Sequence, residues 1–284
     1  MQWISHANIL RETSFNFILT NEAPLRIGCG GEPPLEALSD LAVLRIPSEF
    51  GEVPYIPGSS LKGVFRSFCA KLLAWKGLRV CELSGNRCEV GREKDIEKFA
   101  KQACLLCKIF GTQGYKGLVS FLDAFPWDGQ QLYPFRLGVR RGIRIGRKSG
   151  KAENLFDIEY VEPRAKFKSS IRCLNLPNFA LGLLSRVLLC LHEGEVKIGG
   201  FKTRGFGEVR LEEIEIRNRD VRGTGKKMTA LDPLDRDVEV EEMEVENDWL
   251  VARGDAAWRV LRKLAQLWEV VKLYEGVQRN PRRA

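Results

Sequence analysis

Four groups of residues in this 284-residue chain have types and spacings suited to chemistry. Lys62 and Arg66 stand four apart in PGSSLKGVFRS (57–67), sharing one face of a predicted helix. Pro57 and Gly58 punctuate its start, Ser59 or Ser60 is placed to cap it, and apolar residues recur at Leu61, Val64/Phe65, Phe68, Leu72 and Trp75. A helix start offers unpaired N–H groups and partial positive charge, so two cations beside it make a seat for phosphate. An ordinary capped amphipathic helix with a solvated basic face reads the same way. The second group is GGFKTRGFGEVRL (199–211). Gly199, Gly200, Gly205 and Gly207 permit close backbone approach to a phosphate, Lys202 and Arg204 supply charge, and Phe206 reads as a packing anchor. Many tight turns share such a glycine string. The third group, Cys81, Cys88, Cys104 and Cys107, is spaced C-x6-C-x15-C-x2-C. Two thiolates separated as in CLLC can face one ion, which predicts tetrahedral structural zinc; the first pair is looser than the usual gap. Buried cysteines packed as small apolar groups, or a redox dithiol, are the alternatives. With four thiolates and no open position, such an ion organises an insertion and does not catalyse. The fourth group is RLGVRRGIRIGRKSGK (136–151), with seven Lys/Arg and no acid.

That run accounts for nearly all of the net charge of +8, since the remainder holds 38 basic residues against 37 acidic. A surplus so local fits an arm that binds a polyanion. Glycines at 138, 142, 146 and 150 rule out a stable helix there, and the segment 136–172 is expected to form a long hairpin. A hydrophobic content of 44% can bury a sizeable core, and no apolar run approaches the length of a membrane span. The N-terminus lacks a signal pattern, so a cytoplasmic location is expected, where eight cysteines argue for metal or buried thiols over disulfides. Only His6 and His192 are present, which limits histidine-based catalysis.

Elements to position these groups follow in order. SFNFILTN (13–20) alternates as a first strand; APLRIGCGGEPP (23–34) is a broken loop; SDLAVLRI (39–46) and VPYI (53–56) are strand-like. EKDIEKFAKQA (93–103) predicts a helix between the cysteine pairs, and LVSFLDAF (118–125) a core strand. NFALGLLSRVLLCLH (178–192) reads as a buried helix and EVRLEEIEI (208–216) as a closing strand. Residues 218–253, with eight acids and one arginine in 235–248, read as an acidic linker or edge. Residues 254–275 predict an amphipathic helix with Trp258, Leu261, Leu264, Trp268 and Val271 on one stripe.

The helix start at 57–67 followed by the glycine loop at 199–211 resembles the RAMP superfamily of CRISPR proteins, and more closely the repeated backbone subunit of type III RNA-targeting effector complexes. The resemblance covers roughly residues 10–216. It implies an α+β fold: a modified ferredoxin-like (RNA-recognition-like) core over 1–217, with a zinc insertion at 77–110 and a thumb-like hairpin at 136–172. The acidic linker and a C-terminal helix and tail (254–284) lie outside it. It also implies guide-RNA contacts at Arg26 and, in the thumb, at Arg144, Arg147 and Lys148. Asp40 in SDLAVLR matches the aspartate with which the family cuts target RNA. The residue alone reads as a turn or strand-start aspartate bonding its own backbone. The implied partners are a CRISPR guide RNA, a complementary target RNA, copies of this chain and other type III effector subunits, with no membrane. The implied chemistry is attack of a ribose 2′-hydroxyl on the adjacent phosphate, with magnesium or manganese as cofactor. Three alternatives stay open: a catalytically silent scaffold, a guide-processing endonuclease using His6 or His192, and a zinc-dependent redox or interaction module.

Overall fold

Alternating apolar residues in RETSFNFILTN form the central strand β1 (Arg11–Asn21), whose Phe15, Phe17 and Leu19 are buried. The computed structural model describes residues 2–28, 30, 39–49, 51–81, 88, 96–127, 135–221, 223 and 225–273. In it, β1 lies between β8 (Lys166–Leu174) and β9 (Val209–Asp220), antiparallel to both. Beyond β8 come β4 (Val119–Phe121) and β5 (Phe125–Pro126); beyond β9 come β13 (Trp249–Arg253) and β12 (Glu244–Glu246). The strand order is β12-β13-β9-β1-β8-β4, antiparallel throughout.

A separate antiparallel pair, β2 (Arg45–Ser48) with β3 (Gly51–Pro54), leads into helix α1 (Gly58–Trp75), which precedes β4; α4 (Asn178–His192) joins β8 to β9, and α5 (Gly254–Val270) follows β13. These helices share one core with Phe15, Ile171 and Ile216 of the sheet. The α5 stripe docks on the body as its spacing predicts, with Leu261, Leu264 and Trp268 buried and Trp258 partly so. Lys76 fixes the end of this helix, placing Nζ 2.9 Å from the Glu269 carbonyl oxygen, where the helix dipole favours a cation. On α1 the buried stripe runs through Leu61, Phe65, Cys69 and Leu73, and Trp75 is 83% exposed. Trp75 follows Leu73 by about 200° of helix rotation, which turns it off the stripe to which its spacing had assigned it. Short helices α2 (Ile96–Gln102) and α3 (Leu105–Phe110) carry the second half of the cysteine segment; residues 93–95 of the helix expected there lie outside the described residues. No described helix is long and apolar enough to cross a membrane.

Two expectations change. The basic hairpin is β6 (Leu137–Ile145) with β7 (Ala152–Val161), and it ends there; residues 166–172, assigned to it from their charge, belong to the sheet strand β8. Lys168 and Arg172 face outward from that strand while Phe167 and Ile171 enter the core. Residues 218–253 are not a linker. They complete β9, form a small pair from β10 (Lys227–Met228) and β11 (Val238–Glu239), and add β12 and β13 to the sheet. Met228, Val240 and Met243 are fully buried; the acids of 237–248 occupy outward or half-buried positions of a folded segment, while Asp232 and Asp235 are buried with it.

Arg11 holds this segment to the sheet. It is fully buried, bidentate on Asp220 (Nη2–Oδ2 2.6 Å), and bonded to Asn178 Oδ1 at 2.7 Å and the Leu176 carbonyl at 3.1 Å. Burial works against the Asp220 carboxylate, yet its bonds to Arg11, Thr229 and Asn218 keep it below the usual carboxylate range. Removing one member of such a pair leaves a buried charge without compensation. Arg11→Ala is expected to cost about 3–5 kcal/mol in urea unfolding, and Asp220→Asn in the same chain to restore part of it. A loss under about 1 kcal/mol would show that the network contributes little.

Candidate nucleic-acid interface and cysteine centre

The glycine loop, the segment carrying Asp40 and the base of the β6–β7 hairpin meet. Leu25 pairs with Val161 at the end of β7, and Leu41 bridges Ile158 in parallel. Residues 29 and 31–38 between these segments lie outside the described residues. Arg26 Nε donates to the Leu41 carbonyl at 3.3 Å, beside Asp40, while the Arg26 carbonyl accepts from Gly200 N–H at 2.9 Å. Asp40 is exposed, and its Oδ2 accepts the Asp157 N–H of β7 at 2.8 Å. The Asp157 carboxylate in turn accepts from Arg141 Nε at 3.1 Å. Asp157 brings a second acidic residue to this site, and spacing could not announce it, because it lies 117 residues from Asp40.

The glycines divide into two classes. Gly199 and Gly207 have φ of +82° and +83°, and a methyl group there would stand 2.3 Å from the Arg26 carbonyl oxygen and 2.0 Å from that of Ile198. Their close neighbour is the chain's own backbone, not a ligand. Gly200 and Gly205 are the open members, with nothing within 4 Å of a methyl group at Gly205. Phe206 is a packing anchor as expected, buried edge-on against Tyr160 of β7 at 5.8 Å. Phe201, which the motif did not single out, lies under two guanidinium groups, Arg26 at 5.6 Å and Arg204 at 5.5 Å. Lys202, though exposed, is pulled below the usual lysine range by partial desolvation and by repulsion from Lys71 of α1. Cations therefore gather along this loop from three separate segments.

On the hairpin, the Tyr160 ring covers Gly138 and the Phe156 ring covers Gly142 across the strand pair. This explains glycines at these positions of a basic strand. Arg144 pairs loosely with Glu153 (3.5 Å), and Arg147 and Lys148 occupy the exposed turn at the tip. The tip cations and the loop cations thus sit at opposite ends of the hairpin.

The helix start is built differently from its motif. Neither Ser59 nor Ser60 caps it; Asp123 Oδ1 accepts the Gly58 N–H at 2.7 Å, so a carboxylate already occupies that donor. Lys62 is partly exposed on the first turn. Arg66 turns away, donating to the Gly111 carbonyl at 3.0 Å and reaching Cys107 Sγ at 3.9 Å. Its partners lie within the protein, which the four-residue spacing to Lys62 could not reveal.

Cys81, Cys88, Cys104 and Cys107 are all buried, with their sulfurs within 4.8 Å of one another. The Cys81–Cys107 and Cys81–Cys104 sulfur separations are 3.4 and 3.8 Å. A tetrahedron with metal–sulfur bonds of about 2.3 Å has edges of about 3.8 Å, so this donor set fits a single metal ion. The Cys104 N–H points at Cys88 Sγ (3.4 Å), and hydrogen bonds from the Cys104 and Cys107 thiols hold Cys88 well below the usual thiol range. Lys108, 3% exposed, lies close enough to Asp232, Cys104 and Cys88 to feel their charges. Both histidines have structural bonds: His6 to the Lys116 carbonyl at 2.8 Å, and His192 to the Leu211 carbonyl at 3.1 Å.

The chain is 25% identical over 226 residues to the CRISPR system Cms endoribonuclease Csm3 of Streptococcus thermophilus, covering 71% of this chain and 90% of that protein. Among solved structures it is similar to a chain in the cryo-EM structure of the Type III-B Cmr-beta bound to cognate target RNA. There the TM-score is 0.46 and the identity 19%, over 73% of this chain and 61% of the other. The family model for the RAMP superfamily matches residues 19–210, well over half the length, and the chain belongs to that superfamily.

Proposed function

We propose that this chain is a backbone subunit of a type III CRISPR effector complex that holds guide RNA and cuts paired target RNA with Asp40. The observation that carries this reading is the meeting of Arg26, Asp40 and the Lys202–Arg204 loop at the base of a basic hairpin. Superfamily membership and the relative named as an endoribonuclease support it. The order β9-β1-β8-β4, with α1 and α4 as the two crossovers, supports a modified ferredoxin-like core. In this reading the four cysteines hold zinc, whose preference for tetrahedral thiolates matches them.

RNA phosphates would lie along Arg26, Lys202 and Arg204, with Gly200 and Gly205 leaving room for the backbone, Lys62 flanking them, and Arg144, Arg147 and Lys148 engaging at the hairpin tip. Asp40 would orient the ribose 2′-hydroxyl and draw its proton. The 2′-oxygen then bonds to phosphorus, the P–O5′ bond breaks, and the 5′-oxygen leaves with a proton from solvent. Asp40 would be the residue to hold magnesium or manganese together with substrate phosphates, as such ions are held by one or two carboxylates, and the ion would neutralise phosphate charge. A catalytically silent scaffold is the second reading, favoured by the bond that Asp40 already accepts from Asp157.

Binding is tested with a labelled guide RNA titrated at several salt concentrations. Each of Arg26→Ala, Lys202→Ala and Arg204→Ala is expected to weaken binding whatever the sequence, and to reduce the logarithmic salt slope by about 0.7 per lost phosphate contact. Arg66→Ala is expected to leave the slope unchanged, because its guanidinium is engaged at Gly111 and Cys107. Unaltered affinity in the Arg26, Lys202, Arg204 triple variant would refute the interface.

A further inference from the structure

A second concentration of groups lies on the sheet, apart from the site above. The antiparallel register sets Arg217, Ser14, Arg172 and Ser120 side by side across β9, β1, β8 and β4. Strands are about 4.8 Å apart, so the two arginines stand about 10 Å apart with a hydroxyl between them. This row lines a cavity of about 520 Å³ that Trp249 and Asn16 also border, and none of Arg26, Asp40, Lys202 or Arg204 does.

The acids around it are already paired: Glu12 with Arg219, and Glu215 and Glu246 with Arg253. Neither Arg172 nor Arg217 forms an ion pair among the described residues. Arg217 Nε is buried without a hydrogen-bond partner, which is rare for such a donor. Arg217 and Arg219 lie 5.0 and 4.7 Å from the Trp249 ring centre.

We propose that this cleft binds a segment of single-stranded RNA, with a phosphodiester on the Arg217–Ser14–Arg172 row and a base stacked against Trp249 or the arginine planes over it. Two guanidinium groups one phosphate apart suit a polyanion, and an aromatic ring framed by arginines is a stacking platform for any base. Ser120 can meet a ribose hydroxyl or a base edge, the contacts that RNA offers when unpaired, while Asn16 is held in the wall by its bonds to Glu215 and Ser170. An acidic peptide would satisfy the arginines but leave the tryptophan unused, so RNA fits more of the cleft.

The test uses the full chain and a short unstructured RNA carrying 4-thiouridine, irradiated and mapped by peptide mass spectrometry. Crosslinks are expected in the tryptic peptide holding Trp249, in addition to any in 199–207. Arg172→Ala with Arg217→Ala should reduce the Trp249-region crosslink at least tenfold and leave those in 199–207 unchanged. Arg172→Ala alone, at an exposed position, should reduce it with no change in melting temperature. Trp249→Phe should retain crosslinking in that region and Trp249→Ala lose it. The proposal fails if wild type crosslinks only in 199–207, or if the double variant crosslinks as wild type does. It also fails if adenosine monophosphate displaces the strand as well as unlabelled RNA of the same length, which would mark a free-nucleotide site. Loss of crosslinks in 199–207 alone would count against the guide site and leave this cleft standing.

Discussion

Asp40→Asn should cut complementary RNA at least about 100-fold more slowly than the unaltered chain within an assembled guide complex, the scale of a lost catalytic proton acceptor. Target affinity should stay equal or rise slightly, because a carboxylate beside phosphates repels them. Asparagine is the informative substitution: its side-chain oxygen can still accept the Asp157 N–H, so the segment keeps its place on β7 while the charge is removed. Asp40→Ala removes both. If only the alanine variant loses cleavage, Asp40 is a positioning residue that holds its segment on the hairpin. If both cut at the wild-type rate, the chain is a scaffold or cuts with other groups. Cleavage of labelled target with and without EDTA completes the test, since a divalent requirement predicts that the chelator stops it.

Removing the metal should have the second large effect, on stability. Freshly purified protein is expected to carry about one zinc per chain, and Cys104→Ser to lower the melting temperature by about 10 °C, as a loss of several kcal/mol would in a domain of this size. The magnitude follows from the surroundings of the sulfurs. Four thiolates and one dication carry a net double negative charge, and Arg66 and Lys108 lie against it. Without the ion four sulfurs crowd together in the interior with no cation to hold them, and the nearly buried Lys108 ammonium has Asp232 as its largest counter-charge. Elemental analysis finding no zinc, or a serine variant melting with wild type, would remove the centre from the account.

Much of the fold is legible because its residues have one role. Phe15, Phe17 and Leu19 alternate because one side of β1 is core, and the α4 sequence is apolar nearly all round because the helix is enclosed. Residues with a hidden partner are harder to place. Arg11 looks like a surface arginine until Asp220, 209 residues away, is brought beside it. The acids of 235–248 obscured the alternation of Val238 and Val240 with Glu239 and Glu241, which is the ordinary signature of a half-buried segment. Glycines state that something comes close without saying what: at 199 and 207 it is a carbonyl of the same chain. The cysteines were legible in their spacing because four sulfurs have few other reasons to converge, but Arg66 gave no sign that it serves them.

The hairpin has a consequence for reach. Its base is closed by the Glu162 N–H to the Arg136 carbonyl at 2.9 Å, and β6 then extends nine residues, about 30 Å, to the turn bearing Arg147 and Lys148. Gly138 under Tyr160 and Gly142 under Phe156 repeat every four residues, with the rings spaced to match on the opposite strand. Deleting 143–146 together with 151–155, which they face across the bulge, would preserve the register at the base and withdraw the tip by one such step, about 13 Å. The arm is in this sense a ruler graduated in four-residue units, and the distance at which its charged tip meets a neighbour can be reset by whole units without redesigning the body that carries it.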